Sequence, residues 1–144
     1  MSNQRACLAA VPDLAAALRH HAAGIDAHFA AVDLLIEHGI FLGRAAFREE
    51  FVRVVRYTPS CAHTYGAYVR WGAAITALNQ HRLPCSSSEA DILRIAASLG
   101  ANIPVRLGRL LGVLDTTNIG RVIDAITLAN GSRIHRWPTP QGQS

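Results

Sequence analysis

The residues that come closest to a binding chemistry are the Arg residues between Arg94 and Arg136, six of the 14 basic residues in the chain. Only two acidic residues, Asp115 and Asp124, share this segment, so its excess of four positive charges equals the net charge of the whole chain. The chain has no Lys, and the planar guanidinium group of Arg is well suited to phosphate and carboxylate. GC-rich coding also produces an Arg- and Ala-rich composition, and solvated basic residues are common, so charge alone does not define a site.

The last two predicted helices are joined by a short turn, as in helix-turn-helix DNA-binding proteins. In this alternative, Arg106 and Arg109 hold phosphates from positions one helical turn apart. The candidates for base contacts lie at the start of the last helix and are Thr116, Thr117, Asn118 and Arg121. The carboxylates of Asp115 and Asp124 oppose a DNA backbone, and residues 115–118 are also explained as a capping turn. DNA binding is therefore the alternative hypothesis and not the leading one.

The Cys, His and acidic residues predict neither an enzyme nor a metal centre. Cys61, His63 and Cys85 lack the paired spacing of a structural zinc site. A Cys–His pair also needs a third group that orients it before it becomes a nucleophile. Glu49 and Glu50 are adjacent and point to different faces of a helix, so they do not form a catalytic pair. We expect no catalytic residue, no cofactor and no metal.

The three Cys residues also indicate the compartment. An odd number of Cys without paired spacing is typical of free thiols in a reduced environment. The first ten residues do not resemble a signal peptide, and no apolar run approaches the length of a membrane span. These features predict a cytoplasmic protein that is not associated with a membrane.

The elements that position these residues are predicted to be helices. Half of the residues are hydrophobic but only 6% are aromatic, which indicates a core of Ala, Leu, Ile and Val. Ala and Leu are strong helix formers, and strand-like alternation is scarce. We expect an all-α bundle of about six helices, in which residues 1–131 form one domain and residues 132–144 a mobile tail. Pro84 is the predicted boundary of a subdivision into residues 12–82 and 84–131.

The N-terminal half is predicted to contain three helices. The first begins near Pro12 and ends near Gly39, and residues 43–57 and 63–80 form the next two. Apolar residues recur at helical spacing along the first helix, at Leu14, Leu18, Ala22, Ile25, Phe29, Val32 and Ile36. Such a seam packs inside a monomer or joins two chains. The candidates for an interaction surface on it are Leu18, Ile25, Phe29 and Val32.

The C-terminal half, residues 84–131, is predicted to be a module of three short helices. Ser86 and Glu89 have the spacing of a capping box, and Gly100 is expected to end the helix that they begin. Pro104 is expected to open a strongly apolar, central helix. Asp115 or Thr116 caps the last helix, which ends at residues 130–131. The residues predicted to be buried on this last helix are Ile119, Val122, Ile123 and Ile126.

Five short motifs follow one another from Trp71 onward: WGAAITAL, LPCSSSE, ILRIAASL, IPVRL and LDTTN. In this series the chain resembles a group of small helical proteins of high-GC bacteria. The resemblance covers residues 71–131. It implies a helical fold and carries no activity, cofactor or catalytic residue.

The leading functional prediction is a non-enzymatic helical module that binds a protein partner or a second copy of itself. It depends on the apolar seam, the segregated charge and the lack of an assembled set of catalytic groups. The alternative is a small DNA-binding regulator that uses residues 104–130.

Overall fold

A computed structural model describes residues 8, 13–57 and 65–132 of this chain, and within them most of the backbone is helical. The described part contains seven helices and one two-stranded antiparallel sheet. In chain order they are α1 (Leu14–Ala22), α2 (Asp26–His38), α3 (Ala45–Phe51), β1 (Val52–Arg56), β2 (Tyr65–Val69), α4 (Trp71–Asn79), α5 (Ser87–Ala101), α6 (Leu107–Leu111) and α7 (Thr116–Ala129). The predominantly helical fold is confirmed, and the sheet is an addition to it. The predicted start at Pro12 and almost all of the predicted tail lie outside the described residues.

The predicted first helix is two helices, α1 and α2, separated by a turn at residues 23–25. Gly24 has a φ of 96°, which an L side chain rarely adopts, and the break falls there. Asp13 begins α1 by accepting a hydrogen bond from the amide of Ala16 at 3.0 Å. Gly39 ends α2 with a φ of 76°, as its position in the sequence predicts. The apolar seam therefore runs over two helices that meet at an angle and not along one rod.

The helices predicted at 43–57 and 63–80 are wrong in part, because each contains a strand of one hairpin. Val52 pairs with Val69 at the open end of the hairpin, and Arg56 pairs with Tyr65 at the end where the chain passes from β1 to β2. The β-branched side chains of β1 fit a pleated surface, and β2 packs on α1. Pairing between distant strands thus overrides the helical spacing of the same apolar residues.

The core lies around α2, which packs against α5 on one side and α7 on the other. Its fully buried side chains come from both sides of Pro84, including Leu35 in α2, Ile92 in α5 and Val122 in α7. Within the described ranges, no helix combines the length and the apolar character that a bilayer span requires.

Helix α5 begins as predicted and ends one residue later than predicted. The Ser86 hydroxyl accepts from the Glu89 amide at 3.2 Å, and the Glu89 carboxylate accepts from the Ser86 amide at 2.9 Å. Gly100 does not end the helix: it lies inside α5, and Asn102 in the left-handed region ends it. A Cβ on Gly100 would lie 2.5 Å from Nε1 of Trp71, so close packing and not helix termination requires this glycine.

The last two helices differ from the prediction in what they bury. Helix α6 begins at Leu107 and not at Pro104; none of its five residues is fully buried, and Leu107 is 41% exposed. Asp115 caps α7 as predicted, and Val122 is buried. Ile123 and Ile126, predicted to be buried, are 51% and 47% exposed, because α7 turns the face that carries Asn118, Val122 and Ala125 toward α2 and α5.

Candidate functional site

The six residues predicted to contact nucleic acid are not equally accessible: four are exposed, Asn118 is buried and Arg121 is half-buried. Arg106 and Arg109 are exposed around the start of α6, while Thr116 and Thr117 are exposed in the first turn of α7. The short helix α6 packs on α5, whereas α7 packs mainly on α2. This packing differs from the paired helices of a helix-turn-helix unit.

Asn118 is buried and Arg121 is half-buried, and their side chains are hydrogen-bonded to each other. The Asn118 side chain, in a residue 7% exposed, donates from Nδ2 to the Ser88 hydroxyl at 3.2 Å, and its Oδ1 accepts from Arg121 at 2.8 Å. The Asn118 amide donates to Asp115 at 2.7 Å as part of the helix cap. Base contacts from Asn118 would require this network to open. Its hydrogen bonds fix the start of α7 against the start of α5.

The predicted interaction seam is mostly part of the core. Leu18 and Val32 are buried, Phe29 is half-buried, and Ile25 is exposed in the turn between α1 and α2. Buried side chains are not available to a partner. The four residues therefore do not present a continuous apolar surface.

A cavity of about 500 Å³ lies between α5 and the chain segment that returns from its end. From α5 it is lined by Ser87, Asp91 and Arg94, which share one helix face because they are four and three residues apart. Arg106 and Arg109 face it from the returning segment. The apolar part of its wall consists of Pro104, Val105, Leu110 and Val113.

The local sequence explains why the second wall stands opposite α5. Asn102 has a φ of 55°, and its left-handed backbone turns the chain back at the end of the helix. Residues 102–106 are irregular, and Pro104 has no amide to donate to a helix. Arg106 is the N-cap residue of α6. Arg106 and Arg109 therefore lie within one helical turn, and the Arg109 amide donates to the Arg106 carbonyl at 3.0 Å.

The three guanidinium groups of this cavity have no protein acceptor. In the described part of the chain, Arg94, Arg106 and Arg109 make no side-chain hydrogen bond and no ion pair within 4.0 Å. Several other Arg side chains donate to protein oxygens, namely Arg19, Arg44, Arg48, Arg53, Arg82 and Arg121. The cavity therefore gathers three positive charges that form no ion pair within 4.0 Å in the described part of the chain.

Asp91 is the acidic group of the same cavity. The residue is only 9% exposed, and its carboxylate accepts no hydrogen bond from the described residues. Burial raises the pKa of the Asp91 carboxyl, and the positive charge of Arg94 partly offsets this shift. Its side-chain oxygens are not fully buried, since His38 Nδ1 is the one fully buried side-chain polar atom without a partner among the described residues; water or a ligand in the cavity can therefore donate to Asp91.

A second buried titratable group, His38, lies at the end of α2. Its Nδ1 is buried and has no hydrogen-bond partner among the described residues. Burial, followed by the positive charge of Arg121, lowers the pKa of His38, while Glu89 and Asp115 oppose the shift. A neutral imidazole whose Nδ1 bears no proton is consistent with this environment, because an unsatisfied acceptor costs less than a buried charge. His38 therefore contributes to the pH dependence of the fold.

The Cys and His residues considered for catalysis are not assembled in the described structure. Cys85 is half-buried, and burial together with Glu89 raises the pKa of its thiol, which favours the unreactive protonated form. Cys61 and His63 lie outside the described residues. Among the residues that are described, no three His, Cys, Asp or Glu side chains group closely enough to hold a metal ion.

Sequence reasoning named Arg106 and Arg109 as candidates, counted Arg94 only as part of the basic excess, and did not consider Ser87 or Asp91. Ser87, Asp91 and Arg94 carry a readable signal, since polar residues recur four and three positions apart on one face of the helix. The sequence alone does not reveal which segment of the chain faces these three residues.

Comparison of the chain with protein-family models, curated proteins and solved structures finds no match. The resemblance of residues 71–131 to small helical proteins of high-GC bacteria stays a prediction.

Proposed function

We propose that this protein is a non-enzymatic binding protein whose ligand is an anion held by Arg94, Arg106 and Arg109. The observation that supports it most directly is that three Arg residues line one cavity and that none of their side chains has an acceptor among the described residues. Arg side chains on a surface are ordinarily solvated singly or paired with carboxylates. A cavity of about 500 Å³ lies in the size range of small-molecule sites, and five of its nine lining residues are polar or charged, which suits a charged ligand.

The chemistry of the cavity favours phosphate or carboxylate ligands. A guanidinium group offers parallel N–H donors to two oxygens of one anion, and such charge-assisted bonds are among the strongest in proteins. Ser87 adds a hydroxyl and lies at the first position of α5. The amides at a helix start lack intrahelical acceptors, and the helix dipole favours negative charge there. Both features therefore add to the arginines.

No set of catalytic roles can be assigned within the cavity. Its lining offers one hydroxyl and one carboxyl, without a His or Cys to act as a base or nucleophile. Binding alone is therefore the proposal, and it keeps the non-enzymatic character predicted from the sequence. A protein partner stays a prediction, and so does DNA binding, for which the internal bonds of Asn118 and Arg121 give no support.

The test is isothermal titration calorimetry with inorganic phosphate and inorganic pyrophosphate. We expect Arg106→Gln/Arg109→Gln to weaken pyrophosphate binding about 100-fold, since each charge-assisted bond contributes roughly 1.5 kcal/mol or more. The matched control is Arg56→Gln/Arg70→Gln, which removes the same charge from exposed side chains that have no acceptor among the described residues and lie outside the cavity.

The control pair should bind pyrophosphate within about twofold of the wild type, because exposed distant charges are screened by salt. Equal losses in the two double variants would mean that net charge alone attracts the anion, and would refute a site. A wild-type protein that binds neither anion would refute the proposal outright. Far-ultraviolet circular dichroism of each variant establishes that it is folded.

A further inference from the structure

The position of Asp91 narrows the class of ligand that the cavity can take. Its carboxyl group lines the same cavity as the three arginines and lies between Ser87 and Arg94 on α5. The residue is about nine-tenths buried, and the described part of the protein offers its carboxyl oxygens no donor.

A simple inorganic anion explains the arginines but not Asp91. A carboxylate that lines the same cavity repels phosphate and depends on water for its hydrogen bonds in such a complex. A ligand that displaces this water must itself bring a donor to Asp91, because a polar group that loses its water without a new hydrogen bond costs free energy. The ligand that fits carries an anionic group for the arginines and hydrogen-bond donors for the carboxylate.

The remaining wall indicates what joins those two groups. Pro104, Val105, Leu110 and Val113 present carbon surface to the cavity, whose volume of about 500 Å³ is several times that of a phosphate ion. In sites for small organic molecules, apolar side chains contact the carbon skeleton while polar groups fix its orientation. The carbon skeleton of the ligand would lie on this wall.

Building on the proposed anion site, we propose that its ligand is a small phosphorylated polyol, with its phosphate on the arginines and its hydroxyl groups donating to Asp91. Sugar phosphates and ribonucleotides share this chemistry. A ribonucleotide differs from a sugar phosphate in carrying a planar base, which would pack on the apolar wall.

The test compares inorganic phosphate with ribose 5-phosphate in the wild type, Asp91→Asn and Asp91→Leu, by calorimetry. Asp91→Leu removes both the charge and the acceptor. We expect it to bind phosphate more tightly and ribose 5-phosphate more weakly, so that the preference for the sugar phosphate falls about tenfold or more. Asp91→Asn keeps one acceptor oxygen in the same shape and should lose less of this preference.

If Asp91→Leu does not fold, Asp91→Asn still tests the proposal. Asn has the same shape as Asp, and this variant should still lower the preference for ribose 5-phosphate over phosphate. An unchanged preference in the folded variants would refute the role of Asp91. The proposed anion site is still supported in that case if Arg106→Gln/Arg109→Gln weakens phosphate binding. If that double variant binds phosphate as the wild type does, the anion site and the polyol phosphate ligand are both refuted. Adenosine 5′-monophosphate is the third probe: tighter binding than ribose 5-phosphate indicates a nucleotide, and equal or weaker binding a sugar phosphate.

Discussion

Substitution of Gly100 by Ala should destabilise the protein, although the same change stabilises most helices. Gly100 lies inside α5, where Ala is favoured over Gly by about 1 kcal/mol. A Cβ at this position would lie 2.5 Å from Nε1 and 2.7 Å from Cε2 of Trp71, and 3.1 Å from the Cβ of Ala31. Trp71 is a buried ring and Ala31 is fully buried, so neither can move aside cheaply.

Overpacking of this kind costs about 1–3 kcal/mol, which exceeds the gain in helix propensity. We expect the free energy of unfolding of Gly100→Ala to fall by about 1 kcal/mol. The matched control is Gly120→Ala in α7, where nothing lies within 4 Å of the added Cβ. That variant should gain about 0.5–1 kcal/mol, so the two Gly→Ala changes have opposite signs.

Urea unfolding followed by circular dichroism measures both changes. Fluorescence of Trp71, recorded in a background that carries Trp137→Phe, should shift in Gly100→Ala and stay unchanged in Gly120→Ala. If Gly100→Ala is as stable as the wild type or more stable, the contact between α5 and α4 is not the reason for this glycine, and its interpretation as a helix-ending residue returns.

Two further predictions concern a buried histidine and a helix cap. Because the pKa of His38 is lowered in the folded state, the unfolded chain takes up its proton first as the pH falls through 6.5. The free energy of unfolding should therefore decrease below that pH, and His38→Gln should remove this part of the decrease in urea titrations between pH 5 and 8. Asp115→Ala should lower the free energy of unfolding by about 1 kcal/mol through loss of the α7 cap, whereas Asp124→Ala, on the exposed side of the same helix, should stay within about 0.5 kcal/mol of the wild type. Equal effects at Asp115 and Asp124 would contradict the capping role.

The parts of the fold that the sequence predicted correctly are those decided by neighbouring residues. The capping box of Ser86 and Glu89, the cap at Asp115 and the end of α2 at Gly39 each depend on groups within a few positions. Cap chemistry is local, so residue type and spacing are sufficient to locate it.

The errors lie where distant residues decide the outcome. Val52 and Val54 belong to a strand only because residues 65–69 pair with them, and an isolated pattern of apolar residues at such spacing also fits a helix. Gly100 resembles a helix end until Trp71 is placed beside it. The cavity is a further case. Asp91 lines a cavity only because a segment more than ten residues further along the chain lies opposite it.

The position of α2 between α5 and α7 has a consequence for how the chain acquires its structure during synthesis. Leu34 and Leu35 leave the ribosome long before α5, which begins at Ser87, and α7, which begins at Thr116. The apolar side of α2 therefore stays exposed until α5 and α7 have been synthesised, and exposed apolar surface promotes aggregation. A nascent chain stalled before Thr116 should bind chaperones that recognise apolar segments, and the completed chain should release them.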